Sequence, residues 1–141
     1  FIKNILTLHK ALIDTDILSY YLKGNENVKS KVDQYLGHYS TLTFSEITYY
    51  EILAGLEYRK ATKQIESFLL FAENCSVIRI TEQSIKVSAN KYGELRRKGI
   101  QIGTPDLLIA GQAITNELEL ISNNIKHYSS ISGLKLGNWN S

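Results

Sequence analysis

Strand-like and helix-like segments alternate from one end of this chain to the other, and no other feature constrains its fold more. Ala11-Leu12-Ile13 reads as a short buried strand and residues 16–22 as a helix. Gly24-Asn25 breaks that helix, and residues 26–36 read as a second one, stopped by Gly37. Residues 41–44 are strand-like, Ser45 is a favoured cap for a helix reaching Tyr58, and residues 61–73 are helical again. Residues 76–80 alternate and carry β-branched side chains. Residues 81–84 open a long helix that runs through Lys98 to Gly99, and Thr104-Pro105 opens another through Asn116. Strands over 118–122 and 134–136 complete the pattern. Such alternation predicts a parallel sheet covered by helices on both faces, an α/β domain.

The 141 residues suit one domain over 1–141, with residues 1–9 as an N-terminal extension. There are no repeats or linkers, and the 43% hydrophobic content with few charges excludes a disordered tail. A single cysteine, Cys75, rules out an internal disulfide and suggests a cytoplasmic setting; it reads as a small core residue. No apolar run approaches the roughly 18 residues of a membrane span, and the opening "FIKNILTLHK" is too short and polar for a signal peptide. The chain has no methionine, so the initiator is expected to have been removed or to lie upstream of Phe1. A net charge of +2 does not by itself mark a nucleic-acid partner. The one basic cluster, Arg96-Arg97-Lys98, reads either as a solvated helix end or as a set of phosphate contacts.

Three acids stand among apolar neighbours, where a carboxylate is costly unless compensated. Asp14 directly follows the first strand; capping the next helix and holding a ligand are both open to it. Glu51 falls in a helical stripe with Ile47, Tyr50, Ala54 and Tyr58, while Glu46 and Glu57 are expected to face solvent. Asp106 lies in the first turn of its helix, where acids suit the dipole, but shares a stripe with Ile109, Ala110 and Ala113. Each sits at or soon after a strand-to-helix connection, so all three can meet at one sheet edge, where open α/β sheets bind ligands. Carboxylates that close repel unless a cation sits among them, and hard oxygen donors suit Mg²⁺ or Mn²⁺. His9, His38 and His127 are scattered without metal-ligand spacing and read as surface or satisfied core residues.

At these residues the sequence resembles a known family. "LIDTDILSYYLKG", "LTFSEITYYEILAGLE", "LRRKGIQIGTPDLLIAGQAI" and "LELISNNIKHYSSISGLKLGNW" resemble, in order, the four signature blocks of PIN-domain proteins, in particular VapC-type toxins of prokaryotic toxin–antitoxin pairs. The resemblance spans about residues 10–139. It implies a small three-layer α/β/α sandwich around a short parallel sheet and Mg²⁺- or Mn²⁺-dependent cleavage of RNA. It also implies a homodimer and a cognate antitoxin whose tail fills the active site. The family's acids fall on Asp14, Glu51 and Asp106, and its orienting hydroxyl on Thr15. Two departures stand out. Asp16 takes a place where asparagine is common, and the block after the fourth strand, Ser122-Asn123-Asn124, lacks the acid many members carry.

The expected chemistry is hydrolysis of an RNA phosphodiester by a metal-activated water. Asp14, Glu51 and Asp106 would be the metal ligands, Glu51 would help take a proton, and Thr15, Asp16 and Asn123 would support. Arg96, Arg97 and Lys98 would contact phosphates. Tyr20, Tyr21, Tyr49 and Tyr50 suit core packing, base stacking or a dimer interface. Two other readings stay open. "IDTDIL" also resembles the start of haloacid-dehalogenase-like phosphatases, with Asp14 as nucleophile and Asp16 as general acid, although Leu18 and the late "LELISNN" do not fit. The fold can also serve as a non-catalytic binding module.

Overall fold

The structure, a computed structural model, describes residues 9–141. The expected N-terminal extension therefore lies, except for His9, outside the described residues. Five short strands and seven helices alternate: β1 (Ala11–Ile13), α1 (Thr15–Leu22), α2 (Glu26–Leu36), β2 (Thr43–Ser45), α3 (Glu46–Tyr58), α4 (Thr62–Glu73), β3 (Ser76–Ile78), α5 (Glu82–Arg97), α6 (Thr104–Thr115), β4 (Glu119–Ile121), α7 (Ile125–Tyr128) and β5 (Leu136–Gly137). All pairings are parallel: β1 runs beside β4 with Leu12 opposite Leu120, β4 beside β5, and β2 beside β3 with Phe44 opposite Val77. The two ladders, β1-β4-β5 and β2-β3, meet where β1 lies alongside β2.

Side chains alternate across the strands, and that alternation builds two cores. Ala11, Ile13, Phe44 and Ile121 join Ile17, Leu18, Val32, Tyr35 and Phe68 on one face, under α1, α2 and α4. Leu12 and Leu120 join Leu95, Leu107, Ile109, Ala110 and Tyr128 on the other, under α5, α6 and α7. A strand that is apolar on both faces cannot be solvated on either, so the three-layer α/β/α sandwich follows from β1 and β4 themselves. Fully burying each of these Leu, Ile or Phe side chains stabilises by roughly 1.5–3 kcal/mol.

Caps set the helix starts. Asp14, Asn25, Ser45 and Thr81 each cap a helix through a side-chain oxygen, and Thr81 and Ser84 form a reciprocal capping box. Two expectations need correction. Glu46 does not face solvent, because its Oε2 accepts the Ile80 N–H at 2.6 Å. The apolar stripe expected on α3 is not its buried face. Tyr50 and Tyr58 are 70% and 90% exposed, whereas Thr48 and Leu56 are buried. With aromatic residues on several sides of α3, the sequence pattern picked the wrong arc. Tyr20, Tyr21 and Tyr49 pack against the first core. Cys75 is half-buried and packs against the first core, with burial pushing its thiol up to about 11.

The α5–α6 contact depends on Gly111. A Cβ there would collide with the Ser88 hydroxyl and stand 2.8 Å from the Ser84 carbonyl oxygen, which is backbone and cannot move aside. Alanine normally favours a helix over glycine by up to about 1 kcal/mol. Gly111→Ala is expected to reverse that sign and destabilise by roughly 1–3 kcal/mol. A urea midpoint at or above wild type would contradict the tight packing.

Candidate active site

Chain order places the site. Strands β2 and β3 lie to one side of β1, and β4 returns to its other side. The β1/β4 boundary is therefore the switch point of the sheet, where loops diverge and leave a crevice beyond the strand ends. The Asp14 N–H closes the ladder on the Ile121 carbonyl at 2.9 Å, so Asp14 is fixed at that boundary.

A cavity of about 1070 Å³ opens there, and Asp14, Asp16, Glu51 and Asp106 all line it, with Thr15, Asn124 and Tyr128. Asp14 is 6% exposed, and its Oδ1 accepts the Thr15 N–H at 2.9 Å. Burial, then the charge of Asp16, pushes its pKa up to about 6; the Ser122 hydroxyl and the Thr15 N–H pull it part of the way back, and Asp106 adds to the rise. Asp16 is also raised, chiefly by burial, although the N–H groups of Ile17 and Asn123 hold its two oxygens at 2.7 and 3.0 Å. Glu51 comes from α3: its Oε1 accepts the Thr15 hydroxyl at 2.6 Å, and the same hydroxyl meets Thr48 Oγ1 at 2.9 Å. Asp106 comes from the first turn of α6, and its Oδ2 meets His127 Nε2 at 2.9 Å.

The acids predicted to converge therefore share one cavity with Thr15. They do not form a closed ligand set: among the described residues, no three of His, Cys, Asp and Glu are grouped closely enough to hold a metal ion. Glu51 is turned to Thr15 and Asp106 to His127. In kind the donors fit Mg²⁺ or Mn²⁺, being hard carboxylate oxygens. Burial raises Asp14 most and repulsion from Asp16 and Asp106 adds to it; a cation would relieve that repulsion.

Other predicted residues sit elsewhere. The Asn123 side-chain oxygen accepts Asn138 and Asn140 amides at 3.1 and 3.3 Å, so it is spent on the C-terminal segment; Asn124 lines the cavity instead. Arg96, Arg97 and Lys98 are exposed at the end of α5 and do not line the cavity, and the Arg96 guanidinium lies 5.7 Å over the Tyr92 ring. The cations that do line it are Lys23 and Arg59. Sequence reasoning missed three contributors. Ser122, fully buried at the end of β4, hydrogen-bonds toward Asp14 and Asp16. His127 pairs with Asp106, and Tyr128 lies beside both Asp14 and Asp106. Their one sequence signal was position, just past the fourth strand.

The arrangement matches a known class. The PIN domain pattern matches residues 11–131, most of the chain, and the protein belongs to the PIN-domain family. Among its relatives, "Ribonuclease VapC2" of Rickettsia felis is 30% identical over 91% of this chain and 96% of its own length. The "tRNA(fMet)-specific endonuclease VapC" of Salmonella typhimurium is 26% identical over 92% of this chain and 98% of its own. Two crystal structures share the fold closely. VapBC2 from Rickettsia felis, bound to a DNA fragment from its promoter, matches with a TM-score of 0.83 at 29% identity, over 92% of this chain and 98% of that one. DNA-bound VapBC from Salmonella typhimurium matches with a TM-score of 0.85 at 25% identity, over 94% of this chain and 99% of that one.

A buried carboxylate raised toward 6 has a stability consequence. Between its unfolded value of 3.8 and about 6, the folded state holds the Asp14 proton more tightly than the unfolded chain. Stability contributed by this group is thus highest at low pH and falls as pH rises through that window. In EDTA at pH 7.5, Asp14→Asn is expected to stabilise the protein by about 2–3 kcal/mol and to flatten its stability between pH 4 and 6. Urea titrations at both ends of the window check this; a destabilised Asp14→Asn protein would show that the charge is already compensated.

Proposed function

We propose that this protein is a divalent-metal-dependent endoribonuclease and the toxin of a toxin–antitoxin pair. The observation that carries the reading is the gathering of Asp14, Asp16, Glu51 and Asp106 around one cavity at the switch point of a PIN fold. The VapC ribonucleases similar along almost the whole chain support the reaction class, and the VapBC assemblies support a cognate antitoxin as partner.

Asp14 and Asp106, with Glu51, would hold Mg²⁺ or Mn²⁺. When bound, such an ion lowers the pKa of water and offsets charge on a phosphodiester. The chain's own contributions follow from its hydrogen bonds. Thr15 anchors Glu51 through Oε1, which leaves Oε2 to take a proton from the attacking water. Asp16, held by two backbone N–H groups, supplies fixed negative charge rather than a mobile proton. Lys23 and Arg59 line the same cavity and would bind backbone phosphates of RNA, with Arg96, Arg97 and Lys98 in reach only of RNA extending past it.

The phosphatase reading required Asp16 to be free as a general acid and the fourth strand to end in an acidic pair. Asp16 is tied to backbone, and β4 is followed by Ser122-Asn123-Asn124. A second reading, a PIN-like module that binds without cutting, is favoured by the spread of the acids into separate pairs. One experiment separates them. Purified protein free of antitoxin is expected to cut total tRNA or a mixed-sequence RNA in Mg²⁺ or Mn²⁺ and to stop in EDTA. Asp14→Asn and Asp106→Asn should each lower the rate on the order of 10²-fold or more, and Asp16→Ala less. Wild-type protein that cuts no RNA under either metal would favour the binding module.

A further inference from the structure

Tyr128 ends the short helix α7 and is 1% exposed, with its ring in the core under α5 and α6. Its hydroxyl is buried and makes no hydrogen bond of acceptable geometry. It nonetheless lies within reach of Asp14 and Asp106: burial first, then the negative charges of the two carboxylates and the loose, poorly aligned approach of the hydroxyl to both, push the phenol well above its ordinary value. A buried hydroxyl without a partner is costly, and phenylalanine would fill the same space without that cost. The neighbouring His127 already touches Asp106, so α7 addresses this carboxylate with two consecutive side chains.

We infer that Tyr128 is a positioning residue, whose hydroxyl donates to the Asp14 or Asp106 carboxylate and fixes its orientation when a divalent cation draws the two together. The inference rests on the cation of the nuclease reading. A neutral phenol suits that role, because its donor adds no charge and so orients an anion without competing with the cation for it. Outer partners of metal-binding carboxylates typically change metal affinity or activity by about 10–100-fold.

The test compares wild-type protein with Tyr128→Phe in two measurements, Mn²⁺ affinity by calorimetry and the thermal midpoint in EDTA. The expected result is Mn²⁺ binding weakened about tenfold or more, with a metal-free midpoint equal to or above wild type. Affinity within about twofold of wild type overturns the inference, as does a metal-free midpoint several degrees lower, which would mark an ordinary structural bond. Wild-type protein that takes up no Mn²⁺ overturns the inference together with the metal dependence proposed above. Wild-type protein that binds Mn²⁺ but cuts no RNA overturns only the nuclease reading.

Discussion

The structure depends on one costly placement, a carboxylate at the end of a strand that is apolar on both faces. Ala11, Leu12 and Ile13 drive β1 into the middle of the sandwich, and the next residue is Asp14. Nothing apolar could compensate its charge there. Burial pushes its pKa up most, and what surrounds it is polar and specific: Asp16 and Asp106 push further up, while the Ser122 hydroxyl and the Thr15 N–H pull it down. A fold selected only for stability would not add two further acids to a buried one. A cation, as proposed above, would offset that surplus of negative charge.

The architecture was legible because it is written twice. Two-sided apolar strands call for helices on both faces, and Gly37, Gly99 and the caps at Ser45 and Thr81 mark where those helices end and begin. Outside β1, strand ends drifted by up to two residues, because a three-residue strand such as Thr43–Ser45 carries little periodicity of its own. The acids were legible for a different reason: a charge in an apolar setting is an anomaly that composition alone exposes. The face of α3 was not, because Tyr50 and Tyr58 look like core residues until packing shows that Thr48 faces inward to meet Thr15.

What stayed hidden is the set of contacts made across long separations by residues with several ordinary uses. Asn123 looked suited to the site, but asparagine pairs as readily with its own kind. Its oxygen serves Asn138 and Asn140, and Asn140 in turn accepts the Asn25 amide at 3.1 Å. This network ties the C-terminal segment to the loop between α1 and α2. It spends the Asn123 side chain while leaving the Asn123 backbone N–H to hold Asp16. His127 likewise had no spacing partner in the sequence, because its partner, Asp106, arrives from α6.

The cavity is divided in charge. At the switch point it is lined by acids, and it also carries Lys23 and Arg59 along with the apolar Ile52, Leu56, Phe68 and Phe71. A polyanion such as RNA would be repelled by the acids and attracted by the cations, so it can settle only when the acid end is neutralised. On the metal-dependent reading proposed above, the cation would be a condition of substrate entry as well as of chemistry. By the same electrostatics, a protein segment with a basic side chain at one end and apolar residues behind it could occupy the whole cavity without any metal. An antitoxin of that make-up would compete with both metal and RNA, a physical reason why one compact peptide contact can hold such an enzyme silent.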